Sequence, residues 1–433
     1  MGKSLVHEVL MYESVFSDIC TEAAAVAQAS SIARQKVGSA ELEKVIVFVD
    51  FATAKNAFLV AIPGTTEKGI KIAAALGAIC GQPELELECL KNADSSDIDL
   101  ATQMISNRQI DIHCEEGWKG LHILALVKGK NTGYGYATIV GNHTNILISG
   151  YGKEIVNPKN LPIPDDASEA EKKYVSRLRN TTLSELLEIA SQIDNEIRSL
   201  VQAGIKTNLQ LSNDGRRYNG YGKALSELNV FSRPDDILTE SKIAVAFLAD
   251  ARLAMGSKIP AWTSTLSGTQ AGVATIVPWL VGKEWMVEEE KIERAVVLSQ
   301  LINSRIHSVV GSLTPICGCS LFAAMGAAAA ITYLGDGNIH AIESAINNVF
   351  GLMTGLICPG ANGGCAAKAA MGAEIAIVSA MMALSENSIN PDYHLTGRTF
   401  EESIGLIKEI ADKGLSCCDK TVLQILSQKE VGQ

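Results

Sequence analysis

The 433-residue chain is long enough to bury a large core and to divide into two or three domains. Hydrophobic residues make up 47% of it and aromatics only 5%, so an aliphatic, alanine-rich core of close-packed helices is expected. With a formal net charge of -11 and no basic cluster, neither nucleic acid nor an anionic membrane surface is expected as a partner.

Lys3, His7, Glu8, Glu13 and Asp18 interrupt the first twenty residues, so no apolar signal core is expected there and the cytoplasm is the expected location. Ten cysteines in such a chain point to metal or catalytic use before disulfides. Residues 1–39 read as an amino-terminal helical element that docks on a helical domain, with Asp18 or Thr21 capping the run TEAAAVAQASSIARQKV. Cys20 then sits at a helix N-terminus, where a thiol is acidified. It reads equally as a thiolate proton acceptor and as an ordinary first-turn cysteine.

From Glu43 the period changes to that of strands. KVIVFVDF, NAFLVAIPG, LELECL, IDIHC, LHILALVKG and TNILISG are short β-branched or alternating runs, and GIKIAAALGAI and DIDLATQMISN between them read as helices. This predicts an α+β domain with a mixed sheet over residues 40–160, in which Cys80, Cys89 and Cys114 serve packing. His143, Thr144 and Asn145 fall in a turn between two strands. The proline-rich VNPKNLPIPDDAS is a connector, and beyond it residues 161–433 are expected to be all helical. Thr182-Leu183-Ser184-Glu185 has the spacing of a capping box before a long helical run.

A second informative region begins at Asp250-Ala251-Arg252 and ends in SGTQAGVATIVPWLVG. Ser267, Gly268, Thr269 and Gln270 gather N–H and side-chain donors before an apolar helix, which suits a carboxylate and equally suits a plain capped helix start.

The stretch from Ser312 to Ala373 organises the rest. It holds Cys317, Cys319, Cys358 and Cys365, the last two flanking Pro359-Gly360-Ala361-Asn362-Gly363-Gly364. In a continuous helix those two sulfurs would stand roughly 10 Å apart along the axis. Proline, glycine and a Gly-Gly pair break the helix, so the chain must fold back and bring the thiols together. Pro315 before Cys317 and the Asn-Gly-Gly before Cys365 mark helix starts, which favour thiolates. Three chain positions thus converge as thiolate ligand candidates, against the alternative that small cysteines merely fill an alanine-rich core. Cys317 is preferred to Cys319 because it follows Pro315 more directly. Lys368 lies one turn beyond Cys365 and reads either as a solvated lysine or as a group that binds a carboxylate or moves a proton. The apolar run from Ile316 to Leu334 tempts a membrane reading but is expected to be a buried helix. Cys417 and Cys418 are expected to be core or surface thiols.

Taken together, ICGC, AITYLGDG, AINNVFGLMTGLIC and GGCAAKAAMGA resemble the carboxy-terminal part of the L-cysteine desulfidases and, more remotely, the alpha domain of iron–sulfur L-serine dehydratases. Cys20-Thr21-Glu22 resembles that family's Cys-Thr-Glu-Pro motif, His143-Thr144-Asn145-Ile146 its His-Thr-Asn-Ile, and the segment from Ser267 to Gly272 its Gly-rich loop. The resemblance implies a lyase that converts L-cysteine to pyruvate, ammonia and sulfide without pyridoxal phosphate. It implies a 4Fe-4S cluster on Cys317, Cys358 and Cys365, with Cys20 catalytic; Lys368 is a catalytic candidate from its position one turn beyond Cys365. Ser267, Gly268, Thr269, Gln270, His143 and Asn145 would bind a small amino-acid substrate. A homodimer is the candidate assembly. Ala23, Pro359 and Ala261-Trp262 depart from the family pattern and leave the substrate open, with L-serine dehydration as the second candidate. A different class, a non-catalytic iron–sulfur or zinc sensor, also fits four cysteines.

Overall fold

The structure is a computed structural model that describes residues 4–155, 157–228, 236–254 and 256–431. The fold is α+β, with a mixed sheet in the amino-terminal half and a large helical region after it. The described residues fall into two compact units, one comprising Phe16–Glu171, Pro359–Asn362 and Cys417–Gln433, the other Met1–Val15, Lys172–Cys358 and Gly363–Ser416.

The first unit is built on β1 (Leu42–Val49), β2 (Ile110–Cys114), β3 (His122–Gly129), β4 (Tyr134–Val140) and β5 (Ile146–Gly152). Their order is β2-β1-β3-β4-β5. The β1–β2 pair is parallel, with Val45 opposite Ile110, and the other pairs are antiparallel. Alternation sends Val45, Val47 and Val49 into one buried layer, while Ile46 joins Leu124 and Leu126 on the other face under Trp118, Tyr134 and Tyr136. The helix Thr21–Val37 lies on β3 and β4 and against the helix Ile70–Cys80. The two helices approach so closely that a Cβ on Gly77 would fall 2.2 Å from the Ala27 carbonyl oxygen, so only glycine fits there.

Two expected strands are not strands. NAFLVAIPG begins inside the helix Phe51–Ala57, which Asp50 caps by accepting the Thr53 N–H at 2.9 Å and the Thr53 hydroxyl at 2.5 Å, and beyond that helix only Ala61 makes an isolated antiparallel bridge, to Lys68. LELECL falls in a tight 3-10 turn, Pro83–Glu88, opened by its proline. Conversely β4 was not expected; its Tyr-Gly-Tyr start hid a strand that pairs on both sides.

The unit boundaries also fall elsewhere than at residues 39 and 160. The helix Leu5–Glu13 belongs with the helical unit, where the Tyr174 hydroxyl donates to Glu13 Oε1 at 2.9 Å, whereas Thr21–Val37 belongs with the sheet. The proline-rich connector stays with the sheet, tied by Lys119 N–H to Asp165 O and Ala167 N–H to Lys119 O, both 2.9 Å. The last helix, Cys418–Val431, packs on Phe51–Ala57, and Asp419 accepts from the fully buried Lys55 ammonium at 2.6 Å.

In the helical unit the helix Glu289–Val310 is buried along most of its length, against Phe322–Leu334, Leu183–Ser191 and Val277–Glu284. Phe322–Leu334 packs in turn on Ile339–Met353 and Gly364–Leu384, and the latter on Ile237–Ala249. The Thr182–Glu185 capping box is formed. The helical run after it breaks once, where Asp194 caps Asn195–Gly215 by accepting the Ile197 N–H at 2.9 Å. Phe322–Leu334 is 13 residues long and buried at all of them except Tyr333, which makes it a core helix too short to span a bilayer. Gly364–Leu384 is long and apolar enough to cross a membrane by length and composition, with 50% of its apolar window buried.

Candidate active site and metal centre

All ten cysteines are thiols. In the helical unit two cysteine-bearing loops lie side by side: Ile316 pairs with Ile357 in an antiparallel bridge, Cys317 N–H donates to Leu356 O at 2.9 Å and Cys358 N–H to Pro315 O at 2.7 Å. The chain then turns back through Gly360, whose φ of 92° is in the left-handed region, and Cys365 enters in the first turn of Gly364–Leu384. Lys368 reaches back from that helix, its Nζ donating to Ile357 O at 2.5 Å.

The four sulfurs share one electrostatic neighbourhood. The Cys319 thiol is pushed well above its ordinary value by its hydrogen bond to Cys317, by burial, and by the charges of Cys317, Cys365 and Cys358. Cys317 is lowered to about 5 by the hydrogen bond from Cys319, against burial, with help from Ser320 and the Lys368 ammonium. Its acidity thus has a different source from the one the sequence suggested. The following helix begins only at Phe322, so a neighbouring thiol and lysine act in place of a helix terminus. Cys365 does occupy a helix start.

Among the described residues no group of three or more His, Cys, Asp or Glu is already arranged to hold a metal ion. The donor chemistry nonetheless fits a thiolate-ligated centre: soft sulfur ligands, one with a depressed pKa, beside a cation that offsets accumulating negative charge.

The expected carboxylate loop meets these cysteines. Ser264 and Ser267 exchange backbone hydrogen bonds of 3.1 and 2.8 Å across a turn in which Thr265 and Leu266 adopt φ of 49° and 61°. Two non-glycine residues held left-handed in succession store backbone strain of the kind found at functional sites. Ser267 Oγ accepts the Gln270 N–H at 3.4 Å, and Thr269 and Gln270 are buried. The Gln270 amide lies against Gly318, between Cys317 and Cys319; a Cβ there would fall 2.6 Å from Gln270 Nε2. Gly268 faces the buried Arg252, whose Nε would stand 2.5 Å from an added Cβ.

Sequence reasoning missed two residues that hold Gln270. Asn303 Nδ2 donates to Gln270 Oε1 at 3.0 Å and His307 Nε2 lies 3.2 Å from the same oxygen. The signal was present: Gln300, Asn303, Ser304 and His307 follow helical spacing and are buried, a polar stripe inside an apolar helix.

In the sheet unit, Cys20 stands at the N-cap of Thr21–Val37, where Asp18 or Thr21 was expected. Its thiol donates to Glu22 Oε2 at 2.8 Å, while Asn56 Nδ2 donates to Oε1 at 2.9 Å and His143 Nε2 stands 3.9 Å from Oε1. Burial would raise the Glu22 pKa, but His143, at ion-pair distance and beyond hydrogen-bond length, and the Cys20 donor outweigh it and lower the value to about 2. Cys20 and His143 therefore meet at one buried carboxylate. Asn145 is apart from them, its Nδ2 donating to Val140 O at 2.9 Å and Ala170 O at 3.0 Å to close its own turn. Burial raises the thiols of Cys80, Cys89, Cys114 and Cys418.

The sequence profile described as serine dehydratase alpha chain matches residues 158–424. A UPF0597 protein of Geobacter sulfurreducens is 36% identical over 98% of this chain and 99% of its own. UPF0597 proteins of Clostridium tetani and Elusimicrobium minutum are each 32% identical over 98% of this chain, covering 98% and 99% of their own lengths. A cysteine-bearing helical unit and full-length relatives thus agree, and the chain belongs to the serine dehydratase alpha chain family, among the UPF0597 proteins.

Proposed function

We propose that this protein is an iron–sulfur lyase that removes a β-substituent from a small amino acid, with L-cysteine as substrate and pyruvate, ammonia and sulfide as products. The observation that carries the reading is the backbone pairing that sets Cys317 beside Cys358, with the Gln270 amide seated on Gly318 between Cys317 and Cys319. Cys317, Cys358 and Cys365 would hold a 4Fe-4S cluster. Three thiolates leave one iron open, and when bound that iron supplies a Lewis acid for the leaving group.

The chain's own residues do the rest. Ser267, Gly268, Thr269 and Gln270 offer donors to the substrate carboxylate at a buried turn. Lys368 brings positive charge to the cysteine loops. Cys20 is assigned the α-proton, with Glu22 hydrogen-bonded to its thiol and His143 beyond. Loss of that proton and of the β-substituent leaves an aminoacrylate, which adds water to give pyruvate and ammonia. For cysteine the balance is one water consumed and one hydrogen sulfide released. A cytoplasmic location, where thiols stay reduced, suits this chemistry.

The test is an anaerobic screen of L-cysteine, L-serine and related β-substituted amino acids with detection of sulfide, ammonia and keto acid. Sulfide and pyruvate in equal amounts from L-cysteine are expected. Turnover of L-serine alone would move the assignment to dehydration. An iron-loaded protein inert to every substrate, or a zinc protein with four thiolates, would favour a sensor.

A further inference from the structure

Gln270 is held at its oxygen, which leaves its nitrogen only one direction to face. Gln270 Oε1 receives Asn303 Nδ2 at 3.0 Å and the Thr265 hydroxyl at 3.3 Å, and His307 Nε2 approaches it at 3.2 Å. Asn303 Nδ2 is the donor that fixes this oxygen: the Thr265 hydroxyl has its nearer acceptor in Ser264 O at 2.7 Å, and His307, whose Nδ1–H faces the Gly311 carbonyl, donates from Nε2 as well only as the imidazolium. His307 is itself anchored, its Nδ1 at 2.9 Å from the Gly311 carbonyl oxygen and its ring set edge-on to Phe322 with centroids 5.1 Å apart. Asn303 also donates to Ser264 Oγ at 2.9 Å, which ties the same helix face to the start of the strained turn. All of these side chains are buried, so each hydrogen bond is made without competing water.

We infer that Asn303 and His307 are positioning residues for Gln270: they aim its Nε2 donors across the Cys317-Gly318-Cys319 turn, where those donors take the carboxylate of the amino acid. The inference rests on the iron–sulfur lyase reading and adds to it the device that orients the substrate. It also explains the glycine between the two cysteines, since any Cβ at Gly318 would enter the space of the Gln270 amide.

The test uses the anaerobically purified, iron-loaded protein and two readouts. The first is the affinity of the protein for L-alanine, a carboxylate-bearing amino acid with no leaving group, measured by calorimetry. The second is iron content, with KM and kcat on L-cysteine alongside. His307→Leu and Asn303→Leu should keep iron and weaken L-alanine binding by about tenfold to a hundredfold, the loss expected for a misdirected buried donor. His307→Gln, which can return a donor near the Nε2 position, should recover most of that loss. Gly318→Ala provides an approach from the opposite side that leaves the helix intact, and it too should weaken binding with iron retained. Wild-type affinity in both leucine variants and in Gly318→Ala would overturn the inference, as would loss of iron in the leucine variants with no rescue by glutamine. A wild-type protein without iron would instead sink the lyase reading itself.

Discussion

Glu22 is a buried carboxylate surrounded by a thiol, an amide and an imidazole, and its charge sets a clear pH signature. Its folded pKa of about 2 lies below the ordinary 4.5, so its stabilising contribution is complete above about pH 4.5 and is lost as the pH falls towards 2. Glu22→Gln should therefore lower stability by on the order of 3 kcal/mol at neutral pH, with the gap narrowing steadily under acid. Urea unfolding of both proteins across pH 3–7 reads this, and a gap that stayed constant would refute a charged Glu22. At Cys20, serine should keep iron and lose most turnover, because a hydroxyl gives up its proton to become an acceptor far less readily than the thiol that donates to Glu22; loss of iron would make Cys20 a ligand. In the Cys-Gly-Cys turn, Cys317 is the one fixed beside the Cys358 loop, by its N–H to Leu356 O at 2.9 Å. Cys317→Ser should accordingly lose iron and Cys319→Ser retain it, as metal analysis would show; the opposite pattern would transfer the role.

At the scale of elements, close approach decides several outcomes that composition only hints at. Gly77→Val should destabilise by on the order of 2 kcal/mol or more, since its first carbon already meets the Ala27 carbonyl. A melting temperature unchanged by that substitution would show that the two helices can separate. The strands of Leu42–Val49, Ile110–Cys114 and His122–Gly129 were legible from their β-branched alternation, and the Thr182 capping box from its spacing. NAFLVAIPG forms no strand because its first two residues close the Asp50-capped helix and only Ala61 bridges, to Lys68, and LELECL forms none because Pro83 opens a 3-10 turn that buries Leu87. Asn303 and His307 went unnoticed because a polar stripe on a core helix has no meaning until its partner, Gln270, is brought to it from another segment.

For the whole molecule, the sequence conveyed the α+β plan and the helical carboxy-terminal half, while the division into units needed tertiary contacts. Nothing in LVHEVLMYE or TEAAAVAQASSIARQKV says that the first joins the helical unit and the second the sheet. The cysteine loops were different: the Pro-Gly break between Cys358 and Cys365 required a fold-back in any structure, and the pairing of Ile316 with Ile357 adds the Cys-Gly-Cys turn to it. The central claim is that these loops carry an iron–sulfur cluster. Iron and acid-labile sulfide in the anaerobically purified protein and in its Cys358→Ser and Cys365→Ser variants test it most directly. The account predicts about four of each per chain in the unaltered protein and their loss in both variants; stoichiometric zinc in the unaltered protein, or full iron in both serine variants, would contradict it.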